Sequence, residues 1–252
     1  MNQIKIIPIA SGSSGNAMLI DFKDKRILVD MGVRLKRINE VLELNGYKKE
    51  DIDAVFITHS HNDHIMGFKV CVKHIDAKYY ASKRTRDNLA NKAVKALNYD
   101  ERTEVFDNFY VTMFETSHDC AGSAGYIFEY QGIKIGYATD LGYVSKKIVK
   151  YLEGSDIVIL ESNHDIKTLQ EGPYPYYLKQ RILSKSGHLS NVDCALVCKH
   201  LEEKGCKHFL LAHLSRENNN PEKAYEETRE ILKEADIYCL PPSFEKALSY
   251  EV

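Results

Sequence analysis

The sequence predicts an α/β protein with two sheets face to face and helices outside them, a four-layer αββα sandwich. Three observations carry this expectation. Short apolar runs alternate with turn residues in the first third of the chain, strand candidates form a meander in the middle, and strands interleave with helices in the last third. The 252 residues show no linker, low-complexity tract or repeat, and 44% of them are hydrophobic. One catalytic domain over residues 1–252 is therefore expected.

Taken in order, Ile4 to Ile9, Ala17 to Phe22 and Arg26 to Asp30 read as strands. Leu35, Ile38, Val41, Leu42 and Leu44 recur at helical spacing, which predicts a helix from Leu35 to Leu44 closed by Gly46. Ala54 to Ile57 and Lys78 to Ala81 are the next strands, and Ser82 caps a helix expected to run to about Ala96. Phe109 to Phe114, Gly125 to Tyr130 and Lys134 to Ala138 follow as strands, the last two linked by a Gln131-Gly132 hairpin. The remaining order is helix (Lys146 to Leu152), strand (Ile157 to Leu160), helices (Tyr176 to Ser184 and Val192 to Glu203), strand (His208 to Leu211), helix (Pro221 to Ala235) and a strand near Ile237 to Leu240.

A net charge of −2 excludes a global basic field of the kind that draws proteins onto nucleic acid, so a phosphate-rich substrate must be held locally. The six cysteines form no Cys-x-x-Cys pair, and Cys194 and Cys198, one helical turn apart, read as packing neighbours. The first residues lack a signal-peptide core and no apolar run approaches the ~20 residues that span a bilayer. A reduced, cytoplasmic protein with no membrane partner is expected.

The chemistry concentrates in Thr58-His59-Ser60-His61-Asn62-Asp63-His64, directly after the strand Ala54 to Ile57. His59 and His61, two residues apart beyond a strand end, can grip one cation, and Asp63 with His64 can face a second. Imidazole and carboxylate together suit zinc, manganese or iron, and water held between two such ions becomes a hydroxide near neutral pH, the expected nucleophile. Four such groups buried unpaired would be costly, which favours a two-metal site over a polar surface turn. Two ions need further ligands. His118, Asp140 and His213 each follow a strand candidate at its loop end and can supply them.

This pattern, His-x-His-x-Asp-His followed by a lone His, an Asp and a last His, resembles the metallo-β-lactamase superfamily over essentially the whole chain. The resemblance implies two divalent ions per chain, with His59, His61 and His118 on one, Asp63, His64 and His213 on the other, and Asp140 between them. Members that open β-lactams typically place a cysteine in the second site. No cysteine occupies a ligand position here, so antibiotic hydrolysis is disfavoured. A redox branch carries Glu where this chain has His61, which points instead to hydrolysis.

Five further runs resemble the YycJ/WalJ-type branch of that superfamily, itself related to the phosphodiesterases that trim transfer-RNA ends. They are Ser11-Gly12-Ser13-Ser14-Gly15-Asn16, Val29-Asp30-Met31-Gly32, Glu161-Ser162-Asn163-His164-Asp165, Gly187-His188-Leu189-Ser190-Asn191 and Leu211-Ala212-His213-Leu214-Ser215. For that branch the resemblance implies a metal-dependent nuclease acting on DNA from the 5′ end, with DNA rather than RNA as partner, and a link to cell-wall stress signalling. In the transfer-RNA-trimming relatives a histidine in a similar run, aided by a Glu resembling Glu161, assists the leaving group.

From the residues alone, a glycine turn, His188 and a helix beginning near Ser190 place an imidazole beside backbone donors that favour a phosphate. His188 can hold a phosphoryl oxygen or protonate the departing one, while Asp63 orients the nucleophile or takes its proton. Catalytic roles are thus expected for Asp63 and His188, joined by Glu161 as the resemblance implies, and substrate contacts for Ser13, Asn16, His188 and Ser190. His164 and Asp165 divide between loop support and substrate contact. His74, His200 and His208 read as ordinary surface or packing residues, and Arg34, Lys36 and Arg37 as a solvated helix face. Tyr174, Tyr176 and Tyr177, with Lys179 and Arg181, read equally as a stacking groove for a strand end or as a helix start packed by its tyrosines.

Three rivals remain at this level. One is a small-molecule phosphodiester or thioester hydrolase using the same metals. Another is a non-catalytic regulatory protein, disfavoured because every expected ligand is present. The third, a mononuclear iron dioxygenase, needs only three ligands.

Overall fold

The computed structural model describes residues 4–240 and 249–251. They form two compact units, one from the described residues of 4–98, 120–122 and 249–251, the other from 99–119 and 123–240.

The first unit is built on a seven-stranded sheet. Strands β1 (Lys5–Gly12), β2 (Gly15–Asp21) and β3 (Arg26–Val29) pair antiparallel, and β4 (Ala54–Ile57), β5 (Lys78–Ser82) and β6 (Val94–Leu97) continue from β3 in parallel. Parallel neighbours require crossovers, and helices α1 (Leu35–Leu44), α2 (Asn62–Ile65), α3 (Phe68–His74) and α4 (Lys83–Leu89) provide them. All four residues of β4 are apolar and buried, as befits an interior parallel strand. Leu19, Leu28 and Val55 of the sheet pack with Ile38, Val41, Leu42 and Phe68 of the helices.

The second unit repeats that topology on a second seven-stranded sheet. Strands β7 (Arg102–Phe106), β8 (Phe109–Glu115), β9 (Ala124–Tyr130) and β10 (Ile133–Ala138) form an antiparallel meander. Strands β11 (Ile157–Glu161), β12 (His208–Ala212) and β13 (Asp236–Cys239) then add in parallel. Its helices are α5 (Lys146–Leu152), α6 (Ile166–Glu171), α7 (Tyr176–Ile182), α8 (Asn191–Glu203) and α9 (Pro221–Arg229). Val158, Leu160, Phe209 and Leu211 pack with Ile148, Leu152, Cys194, Cys198 and Leu201. The Cys194 and Cys198 sulfurs lie 4.0 Å apart as packing neighbours, and all six cysteines are free. The last strand, β14 (Tyr250–Glu251), returns to the first sheet and pairs with β1.

The observed elements depart from the sequence expectation in several places. The helix capped by Ser82 ends at Leu89, where Ala90 turns left-handed at φ 50°, and Val94–Leu97 is an edge strand on β5 rather than helix. Tertiary pairing overrides the helical propensity of that stretch. Helices expected to reach Ser184 and Ala235 stop at Ile182 and Arg229. Strand β7 and helices α3 and α6 were not anticipated; β7 is a charged edge strand whose Arg102-Thr103-Glu104 lacks an apolar alternation.

Candidate metal centre

In the first unit the histidine motif follows β4 and enters α2. Its shape is set one strand away, by Asp30 just past β3. Asp30 is fully buried and adopts φ 62°. Its carboxylate accepts from the Thr58 amide and hydroxyl, both at 2.8 Å, and His64 Nδ1 lies 2.7 Å from its Oδ2. Burial pushes the Asp30 carboxyl up, against the opposing pull of His64 and Thr58. Holding Nδ1 in this way presents His64 Nε2 as the ligand nitrogen, the usual outer support of a metal-bound imidazole.

His59 Nε2 stands 3.1 Å from His61 Nδ1. Around a tetrahedral zinc, donor atoms sit roughly 3.3 Å apart, so this pair of ring nitrogens fits one ion. The Asn16 amide lies 3.0 Å from His64 Nε2 and 3.4 Å from Asp63 Oδ2, and its oxygen accepts from Gly12 N. Gly32 is required here by close approach, because a Cβ would come within 1.6 Å of the Asp63 carbonyl oxygen. Ser13, expected at the substrate, is an exposed residue of the turn between β1 and β2.

In the second unit, register explains why distant residues meet. Ala138 pairs with Leu160 and Leu160 with Leu211, so β10, β11 and β12 end side by side. Glu161 is the last residue of β11, and Asp140 and His213 lie just past β10 and β12, where parallel α/β sheets place their ligands. Asp140, Glu161, His188 and His213 each offer a ligand atom, all within 4.8 Å of one another. Glu161 is fully buried, and its carboxylate accepts from the amides of Leu141 (2.9 Å) and Leu189 (3.2 Å), with His188 Nδ1 at 2.8 Å and His213 Nδ1 at 2.7 Å. All four acceptor positions of the carboxylate are engaged.

Burial alone would raise the Glu161 carboxyl, but the two imidazoles outweigh it and hold it at about 2. Burial likewise works against a charged His188, and Glu161 reverses this, so the His188 pKa is raised. His118 goes the other way: burial outweighs the attraction of Asp140, and its pKa is lowered. Its Nδ1 lies 3.3 Å from the Gly187 carbonyl and its Nε2 is 3.9 Å from Asp140 Oδ1.

Ser190 is buried and caps α8, accepting from Asp193 N at 3.1 Å, so His188 is not the capping residue of that helix. Asp165 caps α6 and pairs with Lys223. His74 is exposed, while His200 pairs with Glu153 and His208 with Asp236, consistent with bland roles. Arg37 and Lys36 lie 4.0 Å from Glu40 on the surface of α1. Tyr176 and Tyr177 are 76% and 75% exposed, which overturns the packed-helix reading for these two. Among the described residues, no helix is long and apolar enough to cross a membrane.

Sequence reasoning had no role for Asp30, nor for the grip of Glu161 on His213. The only signal for Asp30 was a carboxylate directly after a strand, in the Val29-Asp30-Met31-Gly32 run.

Oriented imidazoles and carboxylates at the carboxyl ends of parallel strands give this α/β protein the donor chemistry of a divalent-metal site. The chain belongs to the β-lactamase superfamily: the family described as "Beta-lactamase superfamily domain" matches residues 25–214. It is 35% identical over 237 residues to exodeoxyribonuclease WalJ of Streptococcus pneumoniae, covering 91% of this chain and 88% of the relative. It is 33% identical over 233 residues to exodeoxyribonuclease YycJ of Bacillus anthracis, covering 90% and 88%. Among solved structures, the metallo-β-lactamase fold protein YhfI from Bacillus subtilis superposes with a TM-score of 0.74 at 19% identity, over 99% of this chain and 100% of that one. The α/β class and metallo-β-lactamase fold expected from the sequence are therefore those of the protein.

Proposed function

We propose that the protein is a dinuclear metal-dependent phosphodiesterase, an exonuclease that degrades DNA from the 5′ end, with both units serving one catalytic domain in the cytoplasm. His59, His61 and His118 would hold one divalent ion, Asp63, His64 and His213 the other, and Asp140 both, with zinc, manganese or iron as candidates. The likeness to relatives named exodeoxyribonucleases supports the substrate class. The observation that carries the chemistry is Glu161 bound to His188 and His213 at 2.8 and 2.7 Å.

Bound ions would acidify water and neutralise charge developing on the phosphate. The chain's own residues do the rest. Glu161 favours the protonated form of His188 and fixes its ring, so His188 can donate a proton to the departing oxygen. Asp63, whose side chain is 29% exposed, can orient the nucleophile and take its proton, and the Asn16 amide steadies Asp63. Ser13 and Ser190 would add substrate contacts.

The test is cleavage of duplexes labelled at the 5′ or the 3′ end by protein reconstituted separately with zinc and manganese. Early release of short products from the 5′ label, absent in Asp63→Ala, is expected. Cleavage in Asp63→Ala equal to wild type, or no cleavage with either metal, would overturn the proposal.

A further inference from the structure

We infer that a cavity of about 420 Å³ in the second unit is a nucleotide subsite, seating the base of a terminal deoxynucleotide against Tyr143 and its phosphate against Lys185. This rests on the nuclease reading above and names how its substrate is gripped.

The cavity has the size of a small-molecule site and a mixed lining. Phe114, Ile148 and Tyr151 make an apolar floor, on which the Phe114 and Tyr151 rings stack at 5.3 Å and 8°. Those two faces are spent on each other. Tyr143 is different, with 47% of its surface exposed and its backbone fixed by Ser117, whose hydroxyl accepts from Tyr143 N at 3.1 Å and donates to Tyr143 O at 2.7 Å. An aromatic face held open on a fixed backbone is what a base stacks on.

The cations of the wall divide in the same way. Lys147 pairs with Asp100 at 2.6 Å, whereas Lys185 is exposed and in no ion pair among the described residues. Lys185 is held beside Tyr143 by Gly142, where a Cβ would come within 2.3 Å of the Lys185 carbonyl oxygen, so the two segments touch. Glu115, exposed in the same wall, offers an acceptor to the amino group of cytosine or adenine. One uncommitted cation fits a monophosphate better than a polyphosphate. His118 is also in this wall, so a nucleotide seated here has its adjoining phosphodiester beside a proposed metal ligand.

Calorimetric titration of the zinc-loaded protein with dCMP and with 2-deoxyribose 5-phosphate separates base from phosphate. Binding of dCMP about tenfold tighter than the sugar phosphate is expected, with that difference lost in Tyr143→Ala and both ligands weakened in Lys185→Glu. Equal binding of the two by wild type, or an unchanged difference in Tyr143→Ala, would overturn the subsite. Metal content and melting temperature identify any variant that fails to fold. DNA cleavage with unchanged KM in both variants would remove the subsite and leave the nuclease; no DNA cleavage by wild type would remove the nuclease, while the dCMP titration still decides the cavity.

Discussion

Asp30 and Glu161 do the same work in different units, each a fully buried carboxylate that fixes the tautomer of a candidate ligand through its Nδ1. Such outer partners typically change metal affinity 10–100-fold. Asp30→Asn should therefore weaken metal binding by about that factor in competition with a chromophoric chelator, with the fold retained. Equal affinity in wild type and variant would contradict the role. The candidate ligands His59, His61, Asp63 and His64 stand out in the sequence because they share one short run, and His118, Asp140 and His213 because each follows a strand. Asp30 was not, because its meaning depends on Thr58 and His64, which reach it only through strand pairing.

His164 supplies the pH prediction at this scale. It is 1% exposed, and burial lowers its pKa from 6.5 to about 4. A histidine depressed in the folded state is protonated first in the unfolded chain. Its contribution is complete above about 6.5 and is lost as pH falls toward 4, a change of about 3 kcal/mol. Denaturant unfolding across that window should show a shallower pH dependence in His164→Gln. An unchanged slope would place the acid sensitivity elsewhere.

At the scale of elements, runs with strong local signals were the legible ones. Leu35–Leu44, Ala54–Ile57 and Lys146–Leu152 fall where the sequence places them, the first by its helical periodicity. The end of α4 and the edges β6 and β7 escaped because partner strands, not local propensity, make them strands. Ser82 links two of these levels. Its hydroxyl accepts from Thr85 N at 3.2 Å as the helix cap and donates to the Gly122 carbonyl at 2.7 Å. Ser82→Ala should cost about 1–2 kcal/mol in denaturant unfolding, as loss of a cap does. A change within a few tenths would show the cap to be idle.

Across the whole chain, one topology is used twice: antiparallel strands lead into parallel ones, and an aspartate with positive φ follows the strand at which antiparallel pairing gives way to parallel, Asp30 after β3 and Asp140 after β10. No sequence repeat announces this, because pairing pattern and apolar burial define the topology and many sequences satisfy both. What the sequence did carry at this scale was the division into meander and alternation, and hence the α/β class.

The central claim, two cooperating ions in a DNA phosphodiesterase, is tested most directly by titrating metal-free protein with manganese while measuring turnover of a 5′-labelled duplex. Turnover should rise until about two equivalents are bound and stay at background in Asp140→Ala, whose carboxylate is proposed to serve both ions. A plateau at one equivalent, or full turnover in Asp140→Ala, would contradict the account.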